Sequence, residues 1–155
     1  MTNRIVQFSA ELQQQADAFF QECFSAVGIP YSPADRHADV ADIEGHYMQN
    51  GCFWCMVDGE GGIVGTVALR VIDAENRVVE LKRMFVLPKQ QGKGYGRRLL
   101  DTAIAYAREQ GYSRICLDTR RQFAAAQHLY KSSGFVLMDR YNDNEFADFF
   151  FELEL

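Results

Sequence analysis

The sequence predicts a single α/β domain in which helices flank a mixed sheet of six to seven strands, most of them antiparallel. The chain has 155 residues, 48% of them hydrophobic, which is enough for one domain to bury a core without disulfides or metals. A glycine-rich turn joins two strand-like segments as a hairpin. Farther along, strand-like and helical segments alternate, as in strand–helix–strand crossovers. Hairpins and crossovers together predict a mixed sheet.

The chain before the glycine-rich turn predicts two strands and two helices. Ser9 lies where its side chain can cap the first helix, and the Gly-Ile-Pro-Tyr-Ser-Pro segment at residues 28–33 ends that helix. The predicted elements here are a strand at 4–8, a helix at 10–26 with Leu12, Ala16, Phe19, Phe20 and Cys23 facing inward, a short helix at 39–48 and a strand at 53–57.

The remaining chain predicts five strands and two helices. The first of these strands follows the turn at residues 58–62 and completes the hairpin. Pro88 ends the next strand and precedes a glycine-rich hexamer. The predicted elements are strands at 63–71 and 78–86, a helix at 95–110, a strand at 114–118, a helix at 123–132, a strand at 134–139, a turn at 142–144 and a strand at 146–153.

The charge pattern limits the classes of partner. A net charge of −5 argues against a general nucleic-acid binder. No apolar stretch is long enough to span a bilayer and no signal peptide is evident, so we expect a cytoplasmic protein without a membrane partner. Residues 82–98 hold six basic and no acidic residues, whereas residues 139–155 hold six acidic residues and one arginine. The basic segment suits a phosphate-bearing ligand, and the acidic segment suits either a cationic substrate or a solvated surface.

Two of the four cysteines have the spacing of a redox or zinc site. Cys52 and Cys55 form a C-x-x-C pair, but they lie in a predicted strand, where positions three apart point to opposite faces. No second Cys or His pair with zinc spacing occurs in the sequence. We therefore expect all four cysteines to be reduced, mostly buried thiols, and we expect no metal.

The hexamer Gln-Gly-Lys-Gly-Tyr-Gly at residues 91–96 stands between a predicted strand and a predicted helix. Glycines at such a junction let the backbone approach a ligand, and the first N–H groups of a helix have no internal partner. Together with the helix dipole, these groups bind phosphate or pyrophosphate. The G-x-G-x-G spacing fits neither the Rossmann nor the P-loop fingerprint. A nucleotide is therefore a less favoured ligand than another pyrophosphate compound.

Gln91, Gly94 and Gly96 match the pattern Gln/Arg-x-x-Gly-x-Gly/Ala. The hexamer therefore resembles the coenzyme A pyrophosphate loop of the GNAT superfamily, the acetyl-CoA-dependent N-acetyltransferases. Downstream, Ala126, Tyr130 and the Gly-Phe pair at 134–135 match a second pattern of that family, Ala-x-x-x-Tyr-x-x-x-Gly-Phe. The resemblance covers about residues 62–136. It implies one GNAT-like domain over residues 1–155 with acetyl-CoA as co-substrate, and family members often form homodimers.

The resemblance also implies which residues contact the coenzyme. In the family, the strand before the loop carries a bulge and splays from its neighbour, which leaves N–H groups free for the pantetheine arm. One position departs from the family pattern, because the residue three before Ala126 is often Asn and is Phe123 here. The expected cofactor-binding residues are Phe85, Val86, Gln91, Gly92, Lys93, Gly94, Tyr95, Gly96 and Arg97.

Acetyl transfer to an amine requires a base, because an alkylamine has a pKa of roughly 10, and it benefits from an acid for the departing thiolate. A glutamate near the place of Glu80 serves as the base in several GNAT enzymes, and a tyrosine at the place of Tyr130 often protonates the thiolate. The resemblance therefore implies Glu80 as base and Tyr130 as acid. Alternatively, Glu80 pairs with Lys82 or Arg83 on the polar side of its strand, and Tyr130 is an ordinary core tyrosine.

The predicted function is transfer of an acetyl group from acetyl-CoA to a primary amine of a small molecule or peptide, by direct attack in a ternary complex. The alternative is a non-catalytic module that senses acyl-CoA through the same loop; Phe123 in place of Asn leaves room for it. The acceptor side has only candidate lining residues, which are Tyr31, His37, His46, Tyr47, Trp54 and Tyr141.

Overall fold

The computed structural model describes residues 3–155, and one sheet runs through the whole domain. Its seven strands are β1 (Arg4–Gln7), β2 (Gly51–Val57), β3 (Ile63–Asp73), β4 (Val78–Val86), β5 (Arg114–Thr119), β6 (Val136–Leu137) and β7 (Phe149–Glu154). Their spatial order is β1-β2-β3-β4-β5-β7-β6. Within the described residues, β4 and β5 form the one parallel pair. The prediction of a mixed, mostly antiparallel sheet is confirmed.

Helices cover both faces of the sheet and create two hydrophobic cores. They are α1 (Gln13–Ala26), α2 (Ala38–Ala41), α3 (Ile43–Tyr47), α4 (Tyr95–Glu109) and α5 (Ala124–Ser132). Helices α4 and α5 contribute to one core, and α1 to α3 contribute to the other. The C-x-x-C pair is divided between the two cores, with Cys52 in the first and Cys55 in the second. The four cysteines are free and buried, as predicted.

Helix α4 has the clearest amphipathic pattern. Its buried side chains follow one another at the spacing of a single helix face and are Leu99, Leu100, Ala103, Ile104 and Ala107. Full burial of each leucine contributes about 1.5–3 kcal/mol to folding. The helix ends where Gly111 adopts a φ of 78°, a left-handed conformation that glycine takes without strain. This anchored helix fixes the position of the glycine-rich loop that precedes it.

An irregularity in β4 shapes the centre of the domain. Thr66 of β3 pairs with Phe85 and Ala68 pairs with Lys82, so β4 carries one extra residue between the two pairs. Arg83 lies in this bulge with a φ of 54°, which is uncommon for a residue other than glycine. The Thr66 hydroxyl donates to the Arg83 carbonyl oxygen at 2.8 Å. The bulge implied by the family resemblance is therefore present, and it re-aims the side chains beside it.

The parallel pairing of β4 with β5 is short. It joins residues 78–80 of β4 to residues 114–116 of β5, and no pairing continues beyond Glu80. The remaining half of β4 therefore separates from β5 and leaves a gap in the sheet. The family resemblance also implied this splay. The resulting gap lies between strands β1–β4 on one side and strands β5–β7 on the other.

Several predicted elements differ in detail from the structure. The Ser9 side chain makes no cap hydrogen bond, because its hydroxyl donates to Glu11 at 3.2 Å instead; the first turn is a 3₁₀ helix over Ala10–Leu12. The helix predicted at 39–48 is broken at Asp42, whose carboxylate accepts a hydrogen bond from the Gly45 N–H group. Near the C-terminus, the strand predicted at 134–139 shrinks to β6 and the strand predicted at 146–153 starts only at Phe149, since residues 138–148 are mostly loop.

Within the described residues, none of the helices has both the length and the apolar character required to cross a membrane. In the same part of the chain, no group of three or more His, Cys, Asp or Glu side chains is arranged to hold a metal ion.

Candidate active site

A cleft of about 1070 Å³ follows the gap between β4 and β5. At one end it is lined by the glycine-rich loop, and along its length by residues 80–86 of β4 and by the start of α5. The other end is formed by the segment after β5 and by the loop at residues 141–144. The splay of the sheet therefore connects the predicted phosphate-binding loop to the predicted catalytic residues.

The glycine-rich loop presents its backbone to this cleft. Gly92 and Gly94 have φ values of 80° and 83°, and a Cβ atom added to either would meet nothing within 4 Å. Within residues 3–155, the N–H groups of residues 92–97 donate to no acceptor. The Gln91 side chain donates to the Val86 carbonyl oxygen at 3.2 Å and ties the loop to the end of β4. The loop is thus an open concave array of free donors at a helix N-terminus, which suits an anion.

The predicted cofactor residues divide into two groups. Seven of them line the cleft: Phe85, Val86, Gln91, Gly92, Gly94, Tyr95 and Gly96. The side chains of Lys93 and Arg97 are directed elsewhere, because Lys93 donates to Gln90 at 3.1 Å and Arg97 donates to Ser132 at 2.7 Å. Gly96 has a packing role as well, since a Cβ atom there would lie 3.4 Å from Leu129 of α5. Contacts of all nine residues with a cofactor stay predictions.

Glu80 lies on the wall of the cleft with only 3% of its surface exposed. Its Oε1 accepts a hydrogen bond from Arg70 at 2.9 Å and lies 3.8 Å from the Lys82 ammonium. Its Oε2 accepts from the Tyr141 hydroxyl at 2.6 Å and from the Asn142 amide at 3.3 Å. Four polar groups therefore fix this buried carboxylate in one orientation, and charge-assisted bonds of this kind are strong.

The two neighbours of Glu80 with shifted pKa values have shifts of opposite sign. Burial raises the pKa of Tyr141 well above its ordinary value, and the adjacent Glu80 carboxylate raises it further. Burial lowers the pKa of Lys82, whereas Glu80 partly restores it. Both directions follow from the cost of placing a charge in a low-dielectric environment. Tyr141 is consequently a neutral phenol, and its hydroxyl group donates a hydrogen bond to the Glu80 carboxylate.

Tyr130 is both a core residue and a lining residue of the cleft. It is 6% exposed, and its ring packs 5.7 Å from that of Phe135 and 6.3 Å from that of Phe151. Within residues 3–155, its hydroxyl group makes no hydrogen bond. Burial raises the pKa of Tyr130, and the Asp118 carboxylate adds to the shift. The phenol therefore keeps its proton at neutral pH.

Two of the six candidate acceptor residues, His37 and Tyr141, line the cleft. Burial lowers the pKa of His37 to about 4, assisted by the charges of Arg83 and Arg36, and its Nδ1 accepts a hydrogen bond from the Ser32 N–H group at 2.9 Å. This imidazole is neutral at pH 7. The other four candidates, Tyr31, His46, Tyr47 and Trp54, do not line the cleft. Three of these four have structural roles, because Tyr31 stacks on Phe24, Trp54 packs on Tyr106 and the Tyr47 hydroxyl donates to buried Asp39.

The sequence model of the acetyltransferase (GNAT) family matches residues 12–135. This chain belongs to the GNAT family. N-acetylaspartate synthetase from rat is 38% identical over 109 residues, and the human protein of that name is 41% identical over 107 residues. These matches cover 69% and 68% of the GNAT chain but only 36% and 35% of the relatives, so the chain spans about a third of their length.

Solved structures with the same fold cover the whole domain. A GNAT-family acetyltransferase from Staphylococcus aureus Mu50 has a TM-score of 0.90 at 25% identity, with 99% of each chain covered. The PaiA N-acetyltransferase of Thermoplasma acidophilum, solved in complex with coenzyme A, has a TM-score of 0.72 at 18% identity with 100% of each chain covered. A phosphinothricin acetyltransferase from Sinorhizobium meliloti, solved with acetyl-CoA, has a TM-score of 0.74 at 17% identity. The match covers 100% of this chain and 89% of that protein.

The residues of this GNAT domain fit coenzyme A. The free N–H groups of residues 92–97 and the open space beside Gly92 and Gly94 suit a pyrophosphate. Beyond Glu80, β4 does not pair with β5. Its backbone groups on that side are therefore available for hydrogen bonds with the amides of the extended pantetheine arm. Phe123 also lines the cleft, where its ring lies 6.4 Å from that of Phe85 and makes an apolar wall.

Sequence reasoning missed several polar residues of the site. Arg70 faces Glu80 directly across the β3–β4 hairpin, and the register of that hairpin would have revealed the pair. Asn142 bridges Glu80 and Asp118, with its amide 2.7 Å from the Asp118 carboxylate. This bridge had no signal in the sequence, because it depends on how a long loop folds back over the ends of β4 and β5.

Proposed function

We propose that this GNAT domain transfers an acetyl group from acetyl-CoA to the primary amine of a small molecule or peptide, by direct attack in a ternary complex. The observation that supports the proposal is that one cleft joins the free N–H groups of the glycine-rich loop to Glu80 and Tyr130. The relatives named N-acetylaspartate synthetase and the neighbours solved with acetyl-CoA or coenzyme A agree with it.

In this proposal the backbone binds the co-substrate. N–H groups of residues 92–97 hold the pyrophosphate, and the unpaired half of β4 hydrogen-bonds the pantetheine arm. Acetyl-CoA supplies an acetyl group activated as a thioester. The N–H groups beside the β4 bulge stabilise the charge that develops on the carbonyl oxygen, because preorganised donors in a cleft need no reorganisation during the reaction.

Glu80 acts as the base and Tyr130 as the acid. The amine nitrogen bonds to the carbonyl carbon, its proton goes to the Glu80 carboxylate, and the carbon–sulfur bond breaks. Tyr130 donates its phenolic proton to the departing sulfur, and burial raises the pKa of Tyr130 so that the phenol is protonated at neutral pH before this step. Arg70 and Tyr141 hold the Glu80 carboxylate in place. Positioning and proton transfer together supply much of the rate in such a mechanism.

Thermal unfolding with acetyl-CoA, coenzyme A, NAD and ATP in parallel tests the co-substrate. A ligand present at about 100 times its Kd stabilises the folded state by roughly 2.7 kcal/mol. We expect this effect from acetyl-CoA and coenzyme A and not from NAD or ATP. Release of free thiol on addition of amines then separates an enzyme from a sensor. Stabilisation by acetyl-CoA without thiol release from any amine would support the sensor, and stabilisation by ATP or NAD alone would replace both hypotheses.

A further inference from the structure

The acceptor end of the cleft, which is the part lined by Arg36, Glu80 and Arg120, has two arginines that form no ion pair with any carboxylate of the described residues. Five cationic side chains line the cleft, namely Arg36, Arg70, Lys82, Arg83 and Arg120. Arg70 and Lys82 share Glu80, and Arg83 forms a 2.8 Å ion pair with Asp39. Within residues 3–155, neither Arg36 nor Arg120 has a carboxylate within 4.0 Å. These two guanidinium groups are therefore free to pair with an anionic ligand.

Arg36 and Arg120 come from different segments and meet on one aromatic ring. Their guanidinium carbons lie 3.9 Å and 5.0 Å from the centroid of the Phe146 ring, within the range of cation–π attraction. Burial lowers the pKa of Arg120 and the charge of Arg36 lowers it further, whereas the Asp148 carboxylate partly restores it. Both guanidinium groups therefore lie beside one ring, and both arginines line the cleft. An anion in the cleft can form charge-assisted hydrogen bonds with them.

The backbone on both sides of this arginine pair is fixed by hydrogen bonds. The Arg36 carbonyl oxygen accepts from the Arg83 side chain at 3.4 Å. The Arg120 carbonyl oxygen accepts from the Phe123 N–H group at 3.1 Å and from the Gln127 amide at 2.9 Å. Because the segments are already ordered, little conformational entropy is lost when a ligand binds.

Carboxylates line the same cleft near the gap between β4 and β5. Glu80 and Asp118 both face it, and Asp118 is held by the amides of Asn142 and Asn144 at 2.7 Å and 3.2 Å. Glu80 is already paired with Arg70 and Lys82, but within residues 3–155 Asp118 forms no ion pair. The Asp118 carboxylate therefore attracts a cationic amine, while Arg36 and Arg120 attract an anionic group. A ligand with both charges complements both parts, and such complementarity gives specificity.

We propose that the acceptor is an amine that carries a carboxylate, an amino acid above all, and that Arg36 and Arg120 bind this carboxylate. The inference rests on the proposed function, because it names the acceptor class of that reaction. An acceptor with a carboxylate differs from the cationic substrate that was one of two explanations for the acidic segment at residues 139–155. Of the six acidic residues there, only Asp143 lines the cleft.

Thiol release with matched pairs of amines tests the inference. The pairs are alanine with alaninamide, aspartate with aspartic acid diamide, and phosphoethanolamine with ethanolamine, with spermidine as a polycationic amine. We expect kcat/KM to be roughly 10- to 100-fold higher for the carboxylate member of the amino acid pairs, as charged hydrogen bonds contribute. Equal rates within those pairs, or preference for spermidine, would overturn the inference. Preference for phosphoethanolamine over every amino acid would overturn the choice of a carboxylate.

Substitutions separate recognition from structure. Arg36→Gln and Arg120→Gln should each raise KM for the carboxylate member and leave KM for acetyl-CoA and thermal stability nearly unchanged, and Arg120→Lys should retain part of the preference. Arg121→Gln is the matched control, because Arg121 lies outside the cleft lining and contacts the Phe149 ring. Equal losses for both members of a pair would show a structural role only.

Failure of the proposed function gives a different result. In that case acetyl-CoA neither stabilises the protein nor releases thiol, whereas calorimetric titration with aspartate still reports on the arginine pair. Binding of aspartate that both Gln variants weaken would support the pair as a carboxylate site. Binding that is absent in the unsubstituted protein, or unchanged in both variants, would overturn it.

Discussion

The proposed coenzyme end of the cleft is built from backbone, whereas the proposed acceptor end is built from side chains. At the first end, donors come from consecutive N–H groups of residues 92–97 and from a strand released by the splay of the sheet. At the second end, Arg36, Glu80 and Arg120 come from three distant segments and are oriented by other side chains. The two ends should therefore respond to different kinds of substitution.

A backbone site depends on the glycines that leave it open, so a single added side chain is enough to destroy it. A site of side chains depends on charge balance, and each of its members can be altered while the fold persists. This difference also explains why the coenzyme end can be the same across a family while the acceptor end changes its chemistry, because loops vary on a constant scaffold.

The largest effect is expected from Gly94→Glu. The substitution forces a side chain into a φ of 83° and places a carboxylate beside the free N–H groups. We expect stabilisation by acetyl-CoA to disappear in thermal unfolding. Gly61→Glu is the matched control, since Gly61 has a φ of 86° and equally open surroundings outside the cleft. Full stabilisation of the Gly94 variant by acetyl-CoA would contradict the assignment of the loop.

Glu80→Gln should give the next largest effect. Loss of a general base typically lowers a rate by roughly 10²- to 10⁴-fold, and the rise of kcat/KM with pH should flatten. Stabilisation by acetyl-CoA should persist, because the carboxylate does not belong to the glycine-rich loop. The rate of thiol release and its pH profile are the measurements.

Asp39→Asn is the control for Glu80→Gln, since Asp39 is also a buried carboxylate paired with an arginine but lies outside the cleft lining. It should change stability without changing the shape of the pH–rate profile. A profile unaltered by Glu80→Gln would remove Glu80 as the base and leave it as the partner of Arg70.

Tyr130→Phe should have a smaller effect, about 10-fold or more on thiol release. The unfolding free energy should change by less than about 1 kcal/mol, because the hydroxyl has no hydrogen-bond partner within residues 3–155 to lose. Tyr47→Phe provides the contrast, since that hydroxyl donates to Asp39, and its loss should lower stability rather than rate. An unaffected rate in the Tyr130 variant would make Tyr130 a core tyrosine.

The difference between the backbone-built end and the side-chain-built end also explains which part of the site could be predicted from the sequence. Gln91, Gly94 and Gly96 are neighbours in the chain, so their pattern identifies the loop before any folding is known. Arg120 and Phe146 meet Arg36 only after three loops converge, and no local pattern records such a meeting. The acidic segment at residues 139–155 left a cationic substrate and a solvated surface both open for this reason, because charge counted along a chain does not tell which side chains face a cleft.

The pH dependence of stability should reveal the smallest effect, at the ion pair beside the acceptor end. Burial by itself would raise the pKa of Asp39, but hydrogen bonds and charge from Arg83 outweigh it and lower the pKa to about 2. A carboxylate whose pKa falls on folding stabilises the protein above its unfolded pKa of 3.8, and this stabilisation is lost as pH falls from about 4 to about 2.

A decrease of this size in the pKa of a carboxyl group on folding corresponds to roughly 2–3 kcal/mol of unfolding free energy. Asp39→Asn should therefore show a shallower loss of stability between pH 4 and pH 2 in denaturant titrations, in addition to a lower stability at pH 7. Asp35→Asn is the matched control, because the Asp35 side chain is exposed and forms no ion pair within the described residues, so solvent screens its interactions. If the unfolding free energy falls equally steeply with pH in the Asp39 variant and in the unsubstituted protein, the Asp39–Arg83 ion pair adds no acid-sensitive stability. The fold would then tolerate Arg83 without its carboxylate partner.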